Sequence, residues 1–219
     1  MRQNCSIVFF IIAVVCTLLS LESCASSETS LDDIGVSVIF EYSSEDSFPK
    51  QRISAFVEVA SEVKKIKSIS ITYNDTGLKW IVEEPRLVSS SAKSINTKKY
   101  FAGYSQFRPE EKSFFPSGRY TFTAETYDGS IEELNFYVSY PSYLKTSRGI
   151  DIPSIINVKY DTYYAVYDDD SLIYYGEELE DWSNKNNILK NYENAKYCRI
   201  CYKFNGNVIC MMPPIVLGS

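Results

Sequence analysis

Histidine is absent from all 219 residues. Its absence removes the usual general base at neutral pH, the Ser/His and Cys/His nucleophile pairs, and the commonest zinc and iron ligand. Methionine (3) and tryptophan (2) are scarce, and no cysteine occurs between positions 25 and 197. The central chain must therefore hold its core without a disulfide staple, and it is long enough to do so. The net charge of −6 repels phosphate backbones and argues against a nucleic-acid partner. The uncharged run Ile7 to Leu21 reaches roughly 22 Å as a helix, short of the ~30 Å hydrocarbon core of a bilayer. Tyrosine is abundant, with 18 residues against an ordinary background of 45% apolar and 23% charged positions. An apolar body with a polar tip suits half-exposed faces of β-sheets.

With Arg2 ahead of it, the short apolar run predicts a signal peptide over residues 1–23. The segment Leu21-Glu22-Ser23-Cys24 places a Leu three residues before a Cys at the end of that run. It resembles a bacterial lipobox, and among lipoboxes the looser ones of spirochaetes, which tolerate a residue such as Glu22. The resemblance implies cleavage before Cys24, a thioether-linked diacylglycerol on its sulfur, and an acylated amine. More than one buried chain holds a protein stably on a membrane. The small, polar residues that follow predict a flexible tether over 24–34. The expected location is the bacterial cell envelope, lipid-anchored; ordinary secretion after a cut within Ser23-Cys24-Ala25-Ser26 is the alternative.

From residue 35 to 141 apolar residues recur with period two between turn signals, the pattern of short antiparallel strands. Strands are expected at Val36–Phe40, Ile53–Val59, Ser68–Tyr73, Leu78–Val82, Arg119–Glu125 and Leu134–Val138, with Asn74-Asp75-Thr76-Gly77 as a turn. The fold class is all-β, a sandwich or barrel of about seven strands. The run Pro116-Ser117-Gly118-Arg119-Tyr120, followed by Tyr127-Asp128-Gly129, is similar to the strand F region of immunoglobulin-like and fibronectin type III domains. That resemblance implies a β-sandwich in which Tyr120 is the corner residue, its hydroxyl bonded to nearby backbone. It also implies Phe122 and Ala124 pointing inward and a turn at Asp128-Gly129. It says nothing about function.

Residues 150–219 read as a smaller β-rich C-terminal unit; the rival reading is one larger domain whose final strands complete the first sheet. Asn205-Gly206 predicts a β-hairpin with a two-residue turn. Counting outward from it sets Cys201 directly opposite Cys210, close enough for a possible disulfide, with buried thiols as the other reading. Cys198 and Cys201 form a CxxC, but on a strand rather than at a helix start, so neither redox nor zinc chemistry is expected.

Asp168-Asp169-Asp170 lacks the ligand spacing of an EF-hand loop and reads as a solvated hairpin tip. The acidic pairs Glu83-Glu84, Glu110-Glu111, Glu177-Glu178 and Glu180-Asp181 offer carboxylates, but adjacent residues on a strand face opposite ways. No catalytic residue, metal site or cofactor is assigned. Tyr160, Tyr164, Tyr167, Tyr174 and Tyr175 are the candidate binding face; cross-strand aromatic pairing is the purely structural reading. The expected function is a non-enzymatic, lipid-anchored envelope protein that binds or assembles with another protein. A carbohydrate-binding or adhesive module is the alternative.

Overall fold

The structure is a computed structural model that describes residues 31–59, 66–91, 98–111, 113–169 and 171–218. The predicted signal peptide and Cys24 lie outside the described residues. The chain is all-β. Eight strands come first: β1 (Leu31–Glu41), β2 (Lys50–Val59), β3 (Ile66–Tyr73), β4 (Leu78–Val82), β5 (Arg86–Ser91), β6 (Lys98–Phe107), β7 (Gly118–Thr126) and β8 (Ile131–Val138). After two 3₁₀ turns and the single-turn helix α1 (Ile152–Ile155) come β9 (Asp161–Asp168), β10 (Ser171–Gly176) and helix α2 (Lys185–Asn191). The chain ends with β11 (Tyr197–Phe204), β12 (Val208–Met211) and β13 (Ile215–Val216).

Four strands form one sheet in the order β4-β3-β7-β8. The other sheet runs β10-β9-β11-β12-β1-β2-β6-β5, with β13 paired to β11. The two sheets pack face to face. Period-two alternation decides which side chains enter the core: Ile53, Ala55 and Val57 of β2 are fully buried, as are Tyr120 and Phe122 of β7. With Val38, Phe40, Ile69, Ile71 and Ala124 they make one cluster. Burying a Val, Ile or Phe side chain contributes about 1.5–3 kcal/mol. The opposite face of the four-stranded sheet carries Ser, Thr and Glu, for example Thr121, Thr123 and Glu133.

β1 begins at Leu31, so residues 31–34 belong to a strand rather than to the expected tether. Strands β5 and β6, which the sequence reading did not single out, complete the first sheet beyond β2. Gly103 on β6 sits where a Cβ would lie 2.2 Å from the Ala55 carbonyl oxygen and 2.6 Å from the Phe56 ring. Only glycine fits there.

The tyrosine expected at a corner is bonded as the resemblance implies: the Tyr120 hydroxyl donates to the Pro116 carbonyl at 2.8 Å. Gly118, at φ 151°, leaves room for the Tyr73 ring, which a Cβ would meet at 2.7 Å. Asp128-Gly129 turns the chain, with Gly129 at φ 87° and the Asp128 carboxylate accepting from Thr126 and Ser130. Those bonds, the Thr126 hydroxyl first, pull the Asp128 pKa down to about 2.

Residues 150–219 extend the first sheet: β12 lies beside β1, parallel, pairing Val38 with Val208 and Glu41 with Met211. Phe204, Val208 and Cys210 enter the common core. A second, smaller core of Val166, Trp182, Ile188, Ala195, Cys198 and Leu217 forms where α2 and the segment before it cover the sheet extension.

Candidate binding surface

In the β11–β12 hairpin Phe204 pairs with Val208, so three residues make the connection. Asn205 (φ 48°) and Gly206 (φ 77°) are both left-handed, and the Asn207 N–H returns to the Asn205 carbonyl at 2.9 Å. One extra loop residue changes every facing pair. Cys201 lies opposite Met211, and Tyr202 lies opposite Cys210. The possible Cys201–Cys210 disulfide is therefore not formed; the two side chains point to opposite faces, and Cys198, Cys201 and Cys210 are buried free thiols, the other reading the sequence left open. Burial raises their pKa values, to about 11 for Cys198 and about 12 for Cys201 and Cys210. Thiols held protonated in this way are poor nucleophiles and poor metal ligands. Among the described residues no three His, Cys, Asp or Glu side chains gather as a metal site.

The five tyrosines of the predicted face do not share one. Strand alternation splits them. Tyr164 and Tyr174 turn to the covered side of the sheet, where their rings stand 5.0 and 5.4 Å from Trp182. Tyr160, just before β9, packs edge-on against Tyr202 at 5.2 Å. Tyr167 and Tyr175 are on the other side. They are joined by Tyr163 and Tyr197, which the sequence reading left off the face and which parity along β9 and β11 assigns to it.

On that side the rings form two cross-strand stacks. Tyr163 and Tyr175 are 5.4 Å apart with 10° between planes, and Tyr167 and Tyr197 are 4.8 Å apart with 11°. Beneath them Ile39, Ala165, Cys201, Ile209 and Met211 make a third apolar cluster, with Tyr163 and Tyr167 packed against it. The Lys203 ammonium sits over the Tyr163 ring, 5.8 Å from its centroid. At the rim, Leu172 is 53% exposed and Tyr175 is 43% exposed. Burial raises the Tyr167 pKa; Cys201 adds to the rise, while Arg52 and Arg199 oppose it.

Arg52 is the best-held cation on this face. Its Nε donates to Glu41 Oε1 at 2.7 Å and its Nη1 to the Ser105 carbonyl at 2.6 Å, while Arg108 Nη2 donates to Glu41 Oε2 at 2.9 Å. Burial pushes the Glu41 pKa upward, but the two guanidiniums outweigh it and leave the carboxyl below its ordinary value. The arrangement presents planar rings, hydroxyls and fixed cations on a sheet, and among the described residues it holds no paired carboxylates or activated nucleophile. No family model, no curated protein and no solved structure matches this chain.

Proposed function

We propose that this chain is a lipid-anchored protein of the bacterial cell envelope, non-enzymatic, that binds another protein through the tyrosine-stacked face of its larger sheet. The observation that carries the reading is the pair of stacks, Tyr163–Tyr175 and Tyr167–Tyr197, set on a fixed sheet beside Arg199 and the exposed Leu172. Tyrosine offers large contact area for few rotatable bonds, and tyrosine and arginine are both enriched among the residues that dominate the energetics of protein interfaces. Raised thiol pKa values and the lack of histidine support a binding rather than a catalytic role. The anchor rests on the lipobox-like Leu21-Glu22-Ser23-Cys24.

An immunoglobulin-like scaffold is part of the proposal. The order β1-β2-β6-β5 against β4-β3-β7-β8 and the Tyr120–Pro116 bond both support it.

A protein partner suits the face better than a sugar. Stacking on a sugar ring needs an open aromatic face, whereas here Tyr163 is engaged by both Tyr175 and Lys203. Edges and hydroxyls remain, and these favour backbone and polar side chains. The test is photo-crosslinking of the full chain in its membrane, with the reactive residue at Leu172 or, as control, at Thr123 on the polar face of the other sheet. A discrete crosslinked species from position 172 only, lost in Tyr175→Ala, is the expected result. Identical patterns from both positions would refute the assignment. Mass spectrometry of the mature N-terminus tests the anchor separately, because an unmodified amine at Ala25 or beyond excludes it.

A further inference from the structure

At one end of the two-sheet body, a cleft of about 600 Å³ opens between the β1–β2 connection and the β6–β7 connection. That volume is typical of ligand sites. Phe48, Pro49, Pro109 and Phe114 give it apolar walls; Lys50, Arg108 and Lys145 bring three cations, and Glu110 and Glu111 bring two carboxylates. Gln51 lines it as well and is 3% exposed. The Gln51 Oε1 accepts the Phe115 N–H at 2.6 Å, which leaves its Nε2 buried and without a partner among the described residues. A buried amide donor left unpaired costs about 1–3 kcal/mol.

The cleft is formed in advance. Phe115 is fixed at both backbone groups, its N–H by Gln51 and its carbonyl by the Tyr140 hydroxyl, and Tyr120 holds the next carbonyl. Ser113 closes the preceding turn on the Glu110 carbonyl at 2.6 Å. On the opposite wall, Ser47 Oγ accepts from the N–H groups of Ser43 and Ser44. Gly149 and Ile150 donate to the carbonyls of Ser47 and Glu45. Phe48 remains 62% exposed at the mouth despite this ordered surround. Walls that need no ordering on association favour binding.

We propose that this cleft takes the C-terminal end of a polypeptide whose last residue is apolar. Charge gives the first reason. Among the described residues, Lys50, Arg108 and Lys145 against Glu110 and Glu111 leave one positive charge, and adding the Arg52–Glu41 pair does not alter it. A single carboxylate balances that charge, whereas a dianionic phosphate would meet the glutamates. The second reason is the walls. Phe48, Phe114 and the two prolines suit one apolar side chain, and the two glutamates accept peptide N–H donors. A fatty-acid chain would leave those carboxylates facing hydrocarbon. The cleft uses residues distinct from the tyrosine stacks, so it stands or falls apart from them.

Fluorescence anisotropy on the full chain in mild detergent tests the proposal. The probe is fluorescein-labelled Gly-Ser-Gly-Leu-Phe with a free C-terminus, compared with the same peptide as its C-terminal amide. The acid should bind saturably and the amide at least tenfold more weakly. Lys50→Met combined with Lys145→Met should weaken the acid tenfold or more while the circular dichroism spectrum stays unchanged, and Tyr175→Ala should leave it unaffected. Equal binding of acid and amide, no saturable binding up to millimolar protein, or displacement of the peptide by micromolar dodecanoate would each overturn it.

Discussion

Gly103→Ala is a one-methyl change whose cost follows from geometry. The new Cβ would lie 2.2 Å from the Ala55 carbonyl oxygen, where a carbon and an oxygen need about 3.3 Å. Roughly 1 Å must therefore be opened between β2 and β6, and the atom in the way is backbone. Ala55 is fully buried between the sheets, and the Phe56 ring, 2.6 Å from the same point, blocks sideways escape. Overpacking of this kind costs about 3 kcal/mol, at the upper end of its usual range. Replacing glycine by alanine in a strand returns roughly 0.5–1 kcal/mol of backbone entropy, so the net loss is about 2 kcal/mol. Gly77→Ala is the internal comparison: Gly77 has φ 73° with nothing within 4 Å of its added Cβ, so only the left-handed backbone is penalised, by about 1 kcal/mol. Urea unfolding followed by tryptophan fluorescence reads both, and with a slope of about 2 kcal/mol per molar the Gly103 variant should lose about 1 M in midpoint. The reasoning fails if Gly103→Ala is as stable as the parent, or is less damaging than Gly77→Ala.

Tyr120→Phe removes the hydroxyl that caps the Pro116 carbonyl and should cost about 1–2 kcal/mol in the same assay; a change below 0.3 kcal/mol, by rough count within measurement error, would show the bond to be idle. Alkylation followed by peptide mass spectrometry should find Cys198, Cys201 and Cys210 as thiols, unreactive in the native state at pH 8 and reactive once unfolded; a Cys201–Cys210 crosslinked peptide would contradict the register. Those raised pKa values also predict an alkaline limit, because the unfolded thiols ionise near pH 8.5 while the folded ones resist to about 11–12, so stability present below pH 8.5 is lost as pH rises. Glu41 acts in the opposite direction: its folded pKa is depressed, so its contribution is present above the ordinary carboxylate range and lost as pH falls through the folded value. Glu41→Gln should lower stability at pH 7 and flatten that acid limb, and an unchanged limb would refute the assignment.

Alternation along single strands was legible in the sequence, and so was the bond from the Tyr120 hydroxyl to nearby backbone. Phe122 and Ala124 point inward as expected, and the turns at Gly77 and Gly129 lie where the sequence placed them. β5 and β6 were not, for different reasons. Arg86–Ser91 carries only Leu87 and Val88 as apolar residues, too few to show a period. β6 alternates through Tyr100, Ala102 and Tyr104, but Gly103 reads as a turn signal until the carbonyl crowding it is seen. The cysteine pairing failed on a single residue, since Asn-Gly supports a two-residue turn as readily as the three-residue connection found. The tyrosine face failed on parity: Tyr164 and Tyr167 stand an odd number of residues apart and cannot share a side of a regular strand. The cleft at Gln51 had no local signature at all, because its walls come from three connections distant in sequence.

The parallel pairing of β12 with β1 bears most on how the two surfaces relate. It makes one continuous sheet, so the side that carries the tyrosine stacks also carries Ile39, Glu41 and Arg52 from the first strands. Tyr167 responds to Arg52 as well as to Arg199, and Ile39 joins Cys201 and Met211 in the cluster beneath the rings. The tyrosine face therefore belongs to neither half of the chain alone. Removing residues 150–219 would take Phe204, Val208 and Cys210 out of the common core and leave the β1 edge, Val38 to Glu41, without its parallel neighbour. An open edge of that kind recruits strands from other molecules. The cleft differs in kind: its walls come from the two strand connections and the 3₁₀ turn at Lys145, all N-terminal to the extension. The molecule thus separates a broad face built across the whole sheet from a narrow site whose lining residues all precede residue 150, with Ile150 helping to hold one wall.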